Sequence, residues 1–392
     1  MQQHPRAMVV AALTALCLAI TACGSSDSDD DATATGSAPA STAAADTSST
    51  TAADSGSDVV AKAQAFVDQY NKVPTSIGSD QKLKAPPKPG VNIVFLGTND
   101  PNNVLIQKKM KELSELVGYN YSLVGYDPAR PDTFQSAINT ALSKKADYIM
   151  EAGLPLTPAQ LKQIKDGGAK LIADAVAPIE VKDPILVSLA GGKIDSLMGE
   201  ILANYFIADS GGKGNAIMEH IPSYPILNTF SEAFEKTVAE GCPDCKVSRV
   251  DVTLPQLAAG KIPSLMVSAL RKNPDANYLV FDVGPFAAGV TAALKGAGLD
   301  GKVKIIGEAA DEAAIAALKD GSNTAWTAYD SVFSAYQAMY AMFLDQEGST
   351  VPVEELEVVP TQILTQDNVP DATRWSEPQD ADAQWKALWG IS

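Results

Sequence analysis

Residues 91–126 read VNIVFLGTNDPNNVLIQKKMKELSELVGYNYSLVGY, and the fold turns on that stretch. Residues 92–97 (NIVFLG) form a short apolar run of strand length. Residues 104–117 place Ile106, Met110, Leu113 and Val117 on one helical stripe, and residues 121–126 return to a strand. The rhythm continues with a helix at 133–142 and further short segments at 147–150, 161–165, 170–173 and 185–187. A second series follows, with helices at 196–208, 227–240, 262–271, 286–294 and 312–318. Its strands fall at 215–219, 247–252, 278–281 and 304–307. Repeated strand–helix units with buried strands predict parallel sheets. Two such series predict an α/β chain of two doubly wound parallel-sheet lobes joined by a hinge. A late strand (325–327), a helix (332–343) and an extended stretch (357–365) come next. A short tail helix at 379–389 carries Trp385 and Trp389, which are expected to pack back on the body.

The remainder of the 392 residues bounds the function. The formal charge of −17 argues against a nucleic-acid partner, because a basic patch would have to survive an acidic background. Residues 7–20 are an apolar run too short to span a membrane comfortably, and they end in Ile20-Thr21-Ala22-Cys23. That ending looks like a bacterial lipoprotein signal, with Cys23 as the lipid acceptor. Residues 24–57 hold only Gly, Ser, Asp, Ala, Thr and Pro, a composition with nothing to bury. The expected layout is a signal (1–22), a disordered tether (23–57), an N-terminal extension (58–87), a first lobe (88–190) and a second lobe (191–323). A return to the first lobe (324–360) and a crossover with tail (361–392) complete it. Hinge crossings are expected near 189–195, 321–325 and 359–365. Lipid plus tether would hold the chain on the outer face of the cell membrane.

Cys242 and Cys245 are the remaining cysteines once Cys17 leaves with the signal and Cys23 is lipidated. They follow a helix and precede a strand, whereas a redox pair uses a helix N-terminus. A structural disulfide is expected. Zinc would need further ligands that the chain does not offer nearby, so no metal site is predicted.

The sequence carries no G-x-S-x-G elbow, no H-E-x-x-H and no phosphate loop. Gly211-Gly212-Lys213-Gly214 precedes a strand and reads as a helix stop. Glu219-His220 is the one pair suited to acid–base work; without a nearby nucleophile motif, a ligand hydrogen bond is favoured over catalysis, and a buried structural histidine stands beside the ligand role. In open parallel sheets, ligands sit beyond the carboxyl ends of the strands. The polar residues at those ends are Asn99, Asp100, Glu151, Asp174, Asp282 and Glu308. Phe230, Trp326 and Tyr329 are the aromatic candidates.

This organisation resembles the periplasmic-type solute-binding proteins of ABC importers, specifically the type I, ribose-binding-like group, over about residues 88–365. Asp100-Pro101-Asn102-Asn103 is similar to the turn after that group's first strand. Gly118-Tyr119-Asn120 resembles the opening of its second strand. The segments 281–289 (FDVGPFAAG), 304–307 with Lys319-Asp320-Gly321, and 323–330 resemble its later turns and return strand. The resemblance implies capture of a small molecule between the lobes, a permease and ATPase as partners, a monomer, no cofactor and no catalytic residue.

It also implies where sugar hydroxyls would be held, and most of those positions differ. The paired Phe become Asn102 and Asn103. The Asp-Arg falls near Ala175-Val176, with Asp174 one place early. The helix-start Arg lands on Phe230, and the Asn-Asp turn becomes Val283-Gly284. The Asp of the next turn becomes Ala309 beside Glu308, and the return-strand Gln becomes Tyr329. Losing these partners together predicts a less hydroxylated, aromatic or alicyclic solute, because an unpaired buried polar group costs about 1–3 kcal/mol. Phe230, Trp326 and Tyr329 would then form walls, with Asn99, Glu151, His220, Asp282 or Glu308 fixing a polar end. Arg130 is the one conceivable clamp for an anion. A monosaccharide held by a rearranged polar set, a receptor that serves a membrane sensor, and an exported enzyme using Glu219-His220 or the cysteine pair are the alternatives.

Overall fold

The structure, a computed structural model, describes residues 51–391 other than Ala129, with the side chains of residues 51–56 left aside. The signal, Cys23 and most of the tether lie outside the described residues. α1 (Thr51–Tyr70) precedes the sheets. It begins inside the stretch expected to form a tether, because Ala63 and Val67 bury one face of the helix and the helix extends N-terminally from them.

β1 (Asn92–Gly97) is buried from its second residue onward. Asp100 then caps α2 (Pro101–Val117) by accepting the N–H groups of Asn102 and Asn103, and Gly118 closes the helix at φ 72°. β2 (Asn120–Gly125), α3 (Pro131–Ser143), β3 (Tyr148–Ala152), α4 (Pro158–Asp166), β4 (Lys170–Asp174) and β5 (Ile185–Leu189) complete the first lobe. Its five strands run parallel in the order β2-β1-β3-β4-β5.

The second lobe contains α5 (Gly192–Asp209), β6 (Asn215–His220), α6 (Pro225–Gly241), β7 (Lys246–Asp251), α7 (Leu254–Ala258), α8 (Ile262–Lys272) and β8 (Tyr278–Phe281). It continues through α9 (Val290–Gly296), β9 (Lys304–Gly307), α10 (Glu312–Lys319) and β10 (Ala325–Ala328). The helix expected over 286–294 is broken. A short 3-10 turn occupies Gly284–Ala287, and Gly289 at φ 76° starts α9 afresh. α11 (Phe333–Gln346) packs on α2 and β5 of the first lobe, and α12 (Val353–Leu356) follows. β11 (Gln362–Thr365) pairs antiparallel with β10, giving the order β11-β10-β9-β8-β6-β7. α13 (Ala381–Trp389) ends the described chain.

The chain crosses between lobes after Leu189, after Ala328, and between α12 and β11. The second crossing is not at 321–325, nor does the return to the first lobe start at 324, as the sequence suggests. It lies at 329–332, because β10 stays hydrogen-bonded to β9 and β11.

Strand alternation sorts the core. Val94 and Leu96 of β1 face an outer cluster with Ile138, Ile149 and Leu171. Ile93 and Phe95 face a cluster that runs through α11 to α5, α6 and the near face of the second sheet. Ile217, Leu279 and Trp326 lie on the far face of the second sheet. Residues 333–344 of α11 are buried on every side, as a helix inside such a core must be. α1 packs on α5. The segment after it meets α13, where Ile77 N–H donates to Gln384 Oε1 at 3.1 Å and Leu83 N–H to the Leu388 carbonyl at 3.3 Å. Extension and tail therefore brace both lobes.

Candidate functional site

The strands of both sheets end in acids. Glu151 is next to last in β3, and Asp174 is last in β4. Glu219 and His220 close β6, while Asp282 and Glu308 stand one residue beyond β8 and β9. Asp195 joins them from the first turn of α5. All six carboxyls and His220 are buried. The turns that carry them are strained: Ala175, Ala190 and Ala309 follow β4, β5 and Glu308 with φ of 53°, 40° and 52°. That left-handed conformation costs an L-residue about 1–2 kcal/mol and is often concentrated at functional sites.

In the first lobe, Glu151 Oε1 accepts the Leu154 N–H at 2.6 Å and the Tyr126 hydroxyl at 3.3 Å. Asp174 Oδ1 accepts the Ser334 hydroxyl of α11 at 2.7 Å. In the second lobe, the Asp282 N–H donates to Glu219 Oε2 at 3.4 Å. His220 Nδ1 lies 3.8 Å from Asp282 Oδ2, too far for a hydrogen bond, and 3.4 Å from Ser231 Oγ. Both carboxylate oxygens of Asp282, and one each of Glu151, Asp195, Glu219 and Glu308, are buried without a hydrogen-bond partner.

Burial is the first cause of an upward shift in every one of these carboxyls. Asp174 and Asp195 are each pushed up to about 7, and Glu219 to about 9 with the Asp282 charge adding to the burial. Glu151 and Glu308 stand well above the usual carboxylate range, by burial and then by neighbouring acids: Asp174 for the first, Asp195 and Asp282 for the second. Burial raises Asp282 too, against the opposing pull of His220 and Arg249. Tyr329, at the second crossing, is raised by burial and by Asp195, Glu308 and Asp174. Acids of both lobes therefore act on this one residue at the crossing between them.

The other expected site residues are placed differently. Trp326 packs on the far face of the second sheet, where a Cβ added to Gly307 would come within 2.2 Å of its ring. Phe230 lies in the shared core 6.3 Å from Phe234. Neither aromatic is turned to the strand ends, because strand alternation and the apolar stripe of α6 direct them into packing. Asn103 is occupied by its own turn, accepting Thr98 N–H at 3.0 Å and Gln107 Nε2 at 2.8 Å. Asn99 is exposed, and Arg130 pairs with Asp132 on the surface. Cys242 and Cys245 are joined by a disulfide.

Asp195, Ser334 and Tyr126 join the site without being expected there. Asp195 sits at the edge of an expected hinge crossing. Nothing local in the sequence marks the other two, which arrive by tertiary packing. No group of three or more His, Cys, Asp or Glu among the described residues is placed to hold a metal ion. A separate groove of about 750 Å³ lies on the outside between α1, α5 and α6, bordered by Lys62, Glu200, Glu232 and Lys236.

Residues 92–348 match the family model described as the periplasmic binding protein domain. No curated protein matches the chain. Among solved structures, it is similar to GanP, a glucose-galactose binding protein from Geobacillus stearothermophilus. That pair is 18% identical with a TM-score of 0.61, over 72% of this chain and 100% of that one. A periplasmic ribose ABC transporter protein from Conexibacter woesei is 17% identical with a TM-score of 0.62, over 73% of this chain and 95% of that one. A Mycobacterium smegmatis protein in complex with β-D-fucofuranose is 17% identical with a TM-score of 0.60, over 77% and 98%. At these identities the likeness to solved structures is one of fold: the expected type I architecture is the one found.

Proposed function

Because the chain belongs to the periplasmic binding protein family, we propose that it captures a small polar solute between its two lobes and delivers it to an ABC import permease and its ATPase. The observation that supports this reading is that the strand ends of both lobes carry buried carboxyls with oxygens that lack a hydrogen-bond partner. Solute that touches both sets stabilises the shut form by its differential affinity for it. The crossings after Leu189 and Ala328 and before β11 would flex. Capture requires no chemistry on the solute, and Glu219-His220 then serves as a binding pair. The sugars named for similar structures favour a polar solute, and so does the packing of Phe230 and Trp326 into the cores. In this the proposal departs from the aromatic or alicyclic ligand expected from the sequence. Lipidation at Cys23 would keep the protein outside the membrane, near its permease.

Native mass spectrometry of the full chain mixed with pooled small polar solutes tests the reading. A one-to-one adduct is expected, weakened at least about tenfold (about 1.4 kcal/mol) in the double variant Glu151→Ala/Asp282→Ala, which removes one anchor from each lobe. An adduct that survives the double change unaltered would place capture elsewhere.

A further inference from the structure

We infer that the captured solute is a cation, an organic amine whose protonated nitrogen is held by the second-lobe carboxyls Asp195, Glu219, Asp282 and Glu308. The inference rests on the capture reading and adds the charge of the ligand to it.

The first argument is charge balance. Of the six carboxyls, Asp282 alone feels an opposing coulombic pull, from His220 and Arg249. Arg249 is already engaged by Glu235, with Nε and Nη2 at 2.6 and 2.7 Å from its two oxygens. Glu308 meets only further acids, Asp195 and Asp282. A site with this composition offers no counter-charge for most of its carboxyls, so burial favours their protonated forms, and a cation that displaces those protons would supply the missing partner. Buried carboxylates are ordinarily paired or coordinated, since each unpaired ion costs several kcal/mol.

The second argument is the set of free acceptors. Both Asp282 oxygens, Glu219 Oε1, Asp195 Oδ2 and Glu308 Oε2 are buried without a donor, and Asp282 and Glu219 are fully inaccessible to solvent. A neutral polyol has hydroxyls to donate but leaves the net charge where it is. A protonated amine supplies donors and charge together, and hydrogen bonds between charged partners are roughly twice as strong as neutral ones.

The third argument concerns the shape of the cation. No three of these groups converge as metal ligands do, so a bare ion is a poor match. The acids are spread over β6, β8, β9 and the start of α5, with Glu151 and Asp174 opposite on the first lobe. Such a spread suits a molecule with an amine at one end and further donors at the other. Tyr329, among Asp195, Glu308 and Asp174, could add its ring face to the cation.

Matched pairs test the inference on the full chain at neutral pH: glucosamine against glucose, galactosamine against galactose, and putrescine against its diol analogue. Thermal midpoint and small-angle scattering are read together. The expected result is a raised midpoint with compaction for at least one amine, and at least about tenfold weaker binding of its hydroxyl partner. The double variant Asp282→Asn/Glu308→Gln should lose that amine while its own ligand-free midpoint rises, because two unpaired buried acids have been neutralised. A hydroxyl partner that compacts the chain as well as its amine does would overturn the cation and leave capture standing. A panel in which no amine moves the midpoint would also overturn the cation. An amine that binds the double variant undiminished, without compaction, would overturn both readings.

Discussion

The ligand-free protein is expected to be shut near about pH 5 and to open as the pH climbs past about 8. Asp174 and Asp195 are pushed up to about 7 in the shut form, from an ordinary 3.8, and Glu219 to about 9 from 4.5. Burial favours their protonated forms. Below the ordinary values the shut and the hydrated states hold the same protons, and the shut form keeps its full stability. As the pH rises through the ordinary values, the hydrated state releases protons that the shut state retains. Stability is therefore lost progressively until the raised values are passed, at about 7 for the two Asp and about 9 for Glu219. Every tenfold rise in a carboxyl's proton affinity is worth about 1.4 kcal/mol, so these acids together weigh heavily against the shut form on the alkaline side. The opposing pull of His220 and Arg249 is on Asp282 and does not offset the others. Parting the lobes restores water to the acids without unfolding either core. The check is the radius of gyration and the thermal midpoint across that range. Compaction and the highest midpoint are expected on the acid side, and a trend in the opposite direction would refute the electrostatic account of the cleft.

Trp385→Ala is expected to cost about 3–5 kcal/mol of stability, the range for deleting a large aromatic from a packed core. Trp385 is fully buried although it lies near the end of the chain. Its ring stacks on Tyr336 at 6.1 Å and 8°, meets Phe333 edge-on at 5.7 Å, and lies 5.5 Å from Tyr340 and 5.8 Å from Trp389. Tyr336, Tyr340 and Phe333 belong to α11, the buried helix that joins the first lobe to the second crossing. Removing the indole opens a cavity there and loosens the contact that seats residues 77–84. Denaturant titration measures the loss. A change below about 1 kcal/mol would mean that α13 is a dispensable appendage.

Most of the layering can be read from the sequence, and the reasons are local. Residues 92–97 are a buried strand because they are apolar, and the helix expected over 104–117 is found with its start at Pro101, three residues earlier, behind the Asp100 cap. The second crossing cannot be read, because β10 is short and only its pairing with β9 and β11 shows that it stays in the second sheet. Trp326 misleads through the same strand: near a strand end it looks free to face the cleft, but alternation turns it to the far side. The start of α1 at Thr51 is hidden by a composition that cannot bury anything; the cause lies farther along, in the face that carries Ala63 and Val67.

The acids teach a different lesson. Compared with the sugar-binding pattern, Ala175-Val176, Val283-Gly284 and Ala309 count as lost polar partners. Yet Asp174, Asp282 and Glu308 each stand one residue before such a position, and all three are buried at the strand ends. Position-by-position comparison registers the losses and notes the neighbouring acids, but not that they are buried together with little counter-charge. Asp195, which faces Glu308, can be joined to the set only in three dimensions.

The most direct measurement is a crystal structure of the protein with a solute that compacts it. The account predicts the solute between Glu151 and Asp174 on one side and Asp282 and Glu308 on the other, with nitrogen against the second set. Solute seated in the outer groove between α1, α5 and α6, with the strand-end acids untouched, would contradict it.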